Sequence, residues 1–175
     1  MVETGIRGTR TVRVTDDNTA MALGSGTLPV FATPAMIALI EATASLSVAP
    51  HLDPGTSTVG THLDVAHSAA TPVGMEVTCE TELVEVDRRR LVFSVVVRDP
   101  KGEIGSGTHE RFIVDDAKFM SKANAKLERS EQPELEGEHG EYQGPAEDDP
   151  PSPANPGQEA HSRRRDEHHQ TCRAV

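Results

Sequence analysis

The sequence predicts an α+β domain in which an antiparallel sheet wraps around one long central helix. One stretch, Pro34–Ala49, is long and apolar enough to form that helix. Five shorter stretches are rich in β-branched residues or alternate between apolar and polar residues, as strands do. The short connections between the later strands favour antiparallel pairing. A helix that is apolar on most sides needs a sheet to cover it.

The first half of the chain alternates between extended and helical patterns. A strand is predicted over Thr9–Val14, where TRTVRV has a period of two, and a loop rich in Gly, Ser and Thr follows over Asp16–Leu28. The helix comes next, with Thr33 as its N-cap and Pro34 as its first helical residue. Two prolines then end it around His51–Gly55.

The second half consists of four strands that follow one another closely. They are predicted to form a meander, in which each strand pairs with the next one along the chain. The strands are Ser57–Ala66, Met75–Val86, Leu91–Arg98 and Glu103–Val114, and tight turns are predicted at Asp87–Arg90 and Asp99–Gly102.

The composition narrows the functional classes. Acidic residues outnumber basic ones by 28 to 17, which argues against a nucleic-acid partner because phosphate binding needs a basic surface. Cys79 and Cys172 fit neither a disulfide framework nor a zinc spacing, and no dinucleotide fingerprint is present, so we expect no metal and no cofactor. Without an apolar signal segment, and with Pro34–Ala49 interrupted by Glu41, we expect a cytoplasmic protein without a membrane span.

The last part of the chain differs sharply from the rest. Residues 129–175 contain eleven acidic and five basic residues, half of the 12 prolines, and few large apolar side chains. Such a segment cannot bury enough apolar surface to offset its ordering entropy. We therefore predict one domain over residues 1–128 and an acidic, Pro-rich disordered tail over residues 129–175.

Glu41 is the one charged residue of an otherwise apolar helix. An ionised carboxylate in such a place is costly unless it is paired or hydrogen-bonded. It faces a polar cleft, meets a partner across an interface, or lies on the one wet stripe of the helix. The residues alone leave these alternatives open.

Three further features invite a functional interpretation. His67 follows a predicted strand, where an imidazole serves as a general acid or base but is more often a simple turn residue. The Thr33 hydroxyl is explained by capping, although it also projects from a helix N-terminus that favours anions. Arg88-Arg89-Arg90 lies at a predicted turn, either solvated or facing an anionic ligand.

Several ordered blocks resemble one known family. They are VFATPAMIALIEATA (Val30–Ala44), VGTHLDVAHSAATPVG (Val59–Gly74), EIGSGTHERFIV (Glu103–Val114) and the ending KFMSKANAK (Lys118–Lys126). In these blocks the sequence resembles the fluoroacetyl-CoA thioesterase-like family of hotdog-fold proteins, over roughly residues 9–127.

The resemblance implies a hotdog fold and the hydrolysis of an acyl-CoA thioester, which we expect to carry a short acyl chain. It implies a catalytic trio at Thr33, Glu41 and His67. It also implies that Gly60 lies beside the acyl group of the substrate and that Arg111, in the HER motif, occupies another active-site position. The first three are the residues that already stood out on physical grounds.

Hotdog domains normally join two sheets edge to edge, so the resemblance implies a homodimer with active sites at the interface. Two alternatives remain at this point: a non-catalytic protein that binds acyl-CoA or another small ligand, and an enoyl-thioester hydratase. The intact trio argues against the first. The second relies on an Asp/His pair in a differently patterned segment, which is not seen.

The sequence departs from the family's fluoro-specific namesake in one segment. That enzyme carries phenylalanines before its VFAT block, where they form an aromatic gate over the acyl pocket. Here Met21–Leu28 contains two glycines and no aromatic residue. We therefore expect only a modest preference between fluoroacetyl and acetyl thioesters.

Overall fold

The structure, a computed structural model, describes residues 2–129 of the 175-residue chain. Of the predicted tail, only Arg129 falls among the described residues, as the last residue of a helix. The elements in chain order are β1 (Arg7–Arg13), α1 (Thr33–Val48), β2 (Thr56–His67), β3 (Glu76–Asp87), β4 (Arg90–Asp99), β5 (Gly102–Asp115) and α2 (Asp116–Arg129), with short 3-10 turns at Asp16–Asn18 and Ala49–His51.

The five strands form one antiparallel sheet in the order β1-β3-β4-β5-β2. The α+β prediction of a long helix against an antiparallel sheet is confirmed, and β3, β4 and β5 form the predicted meander. The predicted pairing of β2 with β3 is wrong, because β2 pairs with β5, as in Gly60 with Arg111. Residues 68–75 explain this: Ser68 N–H donates to Ile104 O on β5 and Gly74 N–H to Val14 O beyond β1, so the link crosses the sheet.

Helix α1 packs against the inner face of the sheet. Its buried side chains join the inward-facing residues of β3, β4 and β5 in one core. Other apolar positions of α1 remain uncovered: Ala38 is exposed, and Leu46 is 57% exposed. The helix therefore keeps an apolar stripe that the chain's own sheet does not cover. The buried helix residues are Met36, Leu39, Ile40, Thr43, Ala44 and Val48.

The stretch Thr33–His51 is long and apolar enough to cross a membrane when only length and composition are considered. The expectation that this stretch falls short of a membrane span is therefore corrected, because the 3-10 turn after α1 extends it to 19 residues. Core helices of soluble proteins pass the same test. In this fold α1 is the core helix of the sheet.

Helix α2 is an element that the sequence analysis did not assign. It begins at Asp116, directly after β5, and the Asp115 carboxylate accepts a hydrogen bond of 3.0 Å from Lys118 N–H. This is the arrangement of an N-cap, with a further acidic residue in the first turn. The pair of aspartates before KFMSKANAK was the available signal.

Candidate active site

Thr33 and His67 meet at the N-terminus of α1. The Thr33 hydroxyl oxygen lies 2.8 Å from His67 Nδ1, at the end of β2. The N-cap of α1 is Ala32, and no side chain caps the helix, so the predicted capping role of Thr33 is wrong. Thr33 is the first helical residue, and its hydroxyl contacts the imidazole instead of a backbone N–H group.

The surroundings of His67 favour the neutral imidazole. Burial lowers the pKa of His67, and a contact with the backbone of Ala69 only partly opposes this. The ring packs edge-on against Phe31 with 6.4 Å between centroids. Its Nε2 atom is shielded from solvent and has no hydrogen-bond partner among the described residues. A neutral histidine with an unused ring nitrogen is suited to accept or deliver a proton.

A pocket of about 270 Å³ opens beside this pair. Thr33 and His67 line it, and the loop between β1 and α1 contributes Ala20, Ser25 and Phe31. The loop is closed on itself by backbone hydrogen bonds, among them one of 2.8 Å between residues 20 and 30. Its largest side chains point to solvent: Met21, Leu23 and Leu28 are 47–63% exposed.

Glu41 lies two turns further along α1, against Gly60 of β2. A Cβ atom at Gly60 would overlap Glu41 Oε1 and would lie 3.2 Å from His109 Cε1, so only glycine leaves room for this carboxylate. The register between β2 and β5 shifts here, between Gly60 and His62. Such bulges are common beside active sites, where they redirect side chains.

Arg111 ties this part of the helix to the sheet. It is only 5% exposed, and its guanidinium donates to the Thr58 hydroxyl at 2.8 Å and to the Thr58 carbonyl at 2.6 Å. A longer contact of 3.4 Å reaches the Glu41 carbonyl. Among the described residues, no carboxylate oxygen lies within 4 Å of the guanidinium. Burial lowers the pKa of Arg111, and the nearby charge of Glu41 opposes this.

His109 is a residue of this site that the sequence analysis missed. It is fully buried, with Nε2 3.2 Å from Arg111 Nη1 and Nδ1 2.9 Å from the His62 carbonyl. Because arginine can only donate, Nε2 accepts and the ring proton lies on Nδ1, donated to His62. Burial lowers the pKa of His109, and Arg111 adds to the effect. Strand alternation was the available signal, since it places His109 and Arg111 on one face of β5.

The predicted site residues thus fall into two groups: the Thr33–His67 pair, and the Glu41 cluster, which consists of Glu41, Gly60, His109 and Arg111. Thr33 and Glu41 are eight positions apart on α1, or about 12 Å along the helix axis. On β2, Gly60 and His67 are roughly 23 Å apart along the strand. Within the described part of one chain, Glu41 makes no hydrogen bond to His67.

The described residues offer no metal centre, since no group of three or more His, Cys, Asp or Glu side chains in residues 2–129 could hold an ion. Cys79 is a free, buried thiol on β3, and burial raises its pKa to about 11. Neither observation adds a reactive group to the Thr33–His67 pair or to the Glu41 cluster.

Comparison with known proteins gives a consistent result. A family model described as fluoroacetyl-CoA-specific thioesterase matches residues 14–117. A fluoroacetyl-CoA thioesterase from Streptantibioticus cattleyicolor is 45% identical over 97 residues, which are 55% of this chain and 70% of that protein.

Solved structures agree with the sequence comparison. The fluoroacetyl-CoA thioesterase FlK has a TM-score of 0.66 at 39% identity, covering 76% of this chain and 99% of the other. A thioesterase superfamily member from Thermus thermophilus has a TM-score of 0.70 at 25% identity, covering 75% and 97% of the two chains.

Proposed function

The chain belongs to the family of fluoroacetyl-CoA-specific thioesterases, hydrolases of acyl-CoA with a hotdog fold, and from this premise we propose that it hydrolyses short-chain acyl-CoA thioesters in a site shared by two subunits. Thr33, Glu41 and His67 are the catalytic residues of the proposal. The observation that carries it is the 2.8 Å contact between the Thr33 hydroxyl and His67 Nδ1, beside a pocket at a helix N-terminus.

His67 is the general base in this proposal. Its lowered pKa keeps the imidazole neutral near pH 7, so it can take a proton from water as the water oxygen attacks the thioester carbonyl carbon. When the carbon–sulfur bond breaks, the imidazolium returns that proton to the departing thiolate. The products are a carboxylic acid and coenzyme A. Thr33 positions the water or the imidazole through its hydroxyl.

The N-terminus of α1 supplies stabilisation for the developing oxyanion. The backbone N–H groups of Thr33 and Ala35 have no acceptor within the described chain. Free N–H groups of a first helical turn, aided by the helix dipole, favour negative charge at this point. In the proposal these N–H groups form the oxyanion hole.

A second subunit is part of the proposal because β2 lies at an edge of the sheet. It is a 12-residue strand at the edge of the sheet, and no strand of the described chain pairs with its outer side. A second copy that pairs with it in antiparallel fashion covers this edge and, beside it, the apolar stripe of α1. Antiparallel self-pairing also brings the His67 end of one β2 beside the Thr56–Gly60 half of the other. The partner subunit's Glu41 thereby approaches the Thr33–His67 pair.

Glu41 then acts in one of two ways. It stabilises the imidazolium of His67, or its carboxylate attacks the carbonyl carbon and forms a transient anhydride that water hydrolyses. Label found in Glu41 after a single turnover in oxygen-labelled water establishes the anhydride route, because direct attack of water on the thioester places the label in the product alone.

Gly60 and Arg111 are the substrate-binding residues of the proposal. The absence of a side chain at Gly60 leaves room for the Glu41 carboxylate, and in the proposal the acyl group meets that carboxylate beside Gly60. Arg111 adds a buried positive charge on the same side, without a carboxylate bound to it. Both features favour an anionic transition state at this position.

Mixed dimers test the proposal. Glu41→Gln and His67→Ala should each lower kcat/KM by about two orders of magnitude, the range for lost acid–base assistance. Co-refolding the two inactive variants in equal amounts should recover about a quarter of the wild-type activity, since half of the dimers then hold one intact site of two.

The control is the same mixture made from two His67→Ala preparations, which should recover nothing. Near-normal turnover by a folded single variant would remove that residue from the mechanism. If the single variants are inactive and mixing restores no activity while subunit exchange is demonstrated, Glu41 and His67 act within one subunit and the shared site is wrong.

A further inference from the structure

The β3–β4 hairpin carries two positive charges that the proposed mechanism does not use. We propose that Arg88 and Arg89 bind the phosphate groups of the acyl-CoA whose thioester is held by the partner subunit's Thr33 and His67. The inference rests on the shared active site proposed above and adds to it the place where the nucleotide end of the substrate is held.

The three arginines of the hairpin differ in their partners. Arg90 is neutralised: it contacts Glu110 at 2.6 and 2.9 Å and Glu85 at 2.7 Å. Arg88 is 90% exposed, and its one ion pair, of 3.3 Å, is with its sequence neighbour Asp87. The exposed Arg89 side chain has no hydrogen-bond or ion-pair partner among the described residues. Two of the three cations therefore remain available.

The backbone of the hairpin holds these side chains outward. Arg88 is the one residue other than glycine with a positive φ in the described chain, at 55°. Its strand neighbours Asp87 and Arg90 pair directly, which leaves Arg88 and Arg89 as the two residues of the turn. Asn or Gly fits such a position with less strain, so the structure keeps arginine where a small residue would be more stable.

Arg88 and Arg89 also line a cavity of about 380 Å³ at this end of the sheet. His51 contributes a third nitrogen-bearing side chain to it, while Asp53 and Asp115 are the acidic groups. Asp115 is occupied by Lys118, through its backbone N–H at 3.0 Å and its ammonium at 3.9 Å. Asp53 is the other acidic group of the lining. The two arginines balance these two aspartates, so the lining is formally neutral in a protein whose formal charge is −11.

The place of the hairpin fits a substrate that spans two subunits. Arg90 pairs with Phe112 near the end of β5, whereas His67 pairs with Gly105 near its beginning, so the hairpin and the chain's own His67 lie at opposite ends of the sheet. Antiparallel self-pairing of β2 reverses this relation between subunits. Self-pairing places the partner subunit's His67 at the hairpin end of the sheet. The distance from the β3–β4 hairpin to that histidine is then about three strand spacings, or roughly 14 Å.

That span matches the chemistry of coenzyme A. About twelve bonds of the pantetheine arm separate its sulfur from its phosphates, which is the length of about four extended residues or roughly 14 Å. A thioester at the partner subunit's His67 thus brings its phosphates to the hairpin. Arginine is the side chain best suited to phosphate oxygens, which it binds through paired N–H groups.

The test compares two thioesters that differ only in the nucleotide: fluoroacetyl-CoA and fluoroacetyl-pantetheine. In the Arg88→Ala/Arg89→Ala variant, KM for the CoA ester should rise about tenfold or more, with kcat unchanged. KM for the pantetheine ester should not change. Raising the salt concentration should increase KM for the CoA ester in the wild type more than in the variant.

Two matched variants complete the design. Arg10→Ala/Arg98→Ala removes the same charge from exposed positions on β1 and β4 outside the cavity, and it should leave both KM values unchanged. Arg88→Lys/Arg89→Lys retains the charge and should recover part of the affinity. The Kd of coenzyme A itself, by calorimetry, should weaken in the first variant in parallel with KM.

The outcomes distinguish a failure of this inference from a failure of the proposed function on which it rests. If neither ester is hydrolysed by the wild type, the proposed function fails, and the Kd of coenzyme A still tests the hairpin. If both esters are hydrolysed and the Arg88→Ala/Arg89→Ala variant leaves KM for the CoA ester unchanged, or raises it for both esters alike, the hairpin does not bind the phosphates.

Discussion

The Thr33–His67 pair and the Glu41 cluster differ in how completely their polar atoms are bonded. The pair has one side-chain hydrogen bond between its members, an unbonded ring nitrogen and an open pocket. In the cluster, Arg111 and His109 are buried and bonded across α1, β2 and β5. The difference fits the proposed roles, because a group that exchanges protons needs an atom free to bond, whereas groups that hold a charge in place need a rigid frame.

The addition of one carbon atom at Gly60 should disturb the Glu41 cluster. Gly60→Ala adds a Cβ that overlaps Glu41 Oε1, so the carboxylate must move. We expect kcat/KM to fall about tenfold or more, with KM and kcat both affected, since a displaced catalytic group loses its geometry.

A double-mutant cycle shows whether the cause is local. In a Glu41→Ala background the overlap with the carboxylate is gone and only the 3.2 Å contact with His109 Cε1 remains, so Gly60→Ala should cause little further loss of activity or of Tm. Additive losses would mean that Gly60 acts on something other than Glu41.

The Thr33–His67 pocket offers a sharper test of specificity. Residues 21–28 of its loop carry no aromatic side chain, and Met21, Leu23 and Leu28 are exposed to solvent, while Phe31 lines the pocket beside His67. Without a bulky apolar gate, we expect kcat/KM for fluoroacetyl-CoA and acetyl-CoA to differ by about tenfold or less. A preference of about a thousandfold for the fluorinated substrate, roughly 4 kcal/mol in transition-state binding, would show that specificity resides outside the gate.

The pH dependence of stability and of activity distinguishes the Glu41 cluster from the Thr33–His67 pair. Burial lowers the pKa of both His67 and His109, so below pH 6.5 the unfolded chain binds protons that the folded chain does not. The free energy of unfolding should therefore be highest above pH 6.5 and should decline as the pH falls from there through the folded-state pKa values. The acid limb of kcat/KM should have its midpoint below 6.5.

Denaturant titrations at several pH values check the stability part. His109→Gln keeps a donor and an acceptor but does not titrate, so it should flatten the acid decline while leaving the acid limb of kcat/KM in place. His161→Gln, which lies outside the described residues and outside both regions, is the control and should change neither. An acid limb that moves with His109→Gln would mean that His109, not His67, titrates in the reaction.

The smallest effect concerns the residues beyond both regions. Every group in the pair and in the cluster lies within residues 2–129. Ending the chain after Glu128 should therefore leave Tm and kcat/KM almost unchanged. Loss of activity or dissociation of the dimer on truncation would show that the tail, predicted to be disordered, takes part in the site.

The strands and α1 were predictable because their signals are local. The alternation of TRTVRV and the apolar run after Pro34 each depend on residues close in sequence, and the observed elements β1 and α1 agree with them within a few residues. The place of β2 was not predictable in this way. A strand's partner is decided by how the connection crosses the sheet, and residues 68–75 carry no sequence signal for that crossing.

The same distinction holds for the candidate site. The sequence by itself singled out Thr33, Glu41 and His67, because a lone charge in an apolar helix and a histidine after a strand are visible as exceptions to a local pattern. It did not reveal His109, whose burial and bonds to Arg111 and the His62 carbonyl depend on contacts between distant strands.

Only the tertiary structure decided that Thr33 bonds to His67 rather than capping α1, and that Glu41 lies apart from both. The physical reason is that residue types fix which chemistry is available, whereas distances between groups on different elements follow from strand order, register and helix packing.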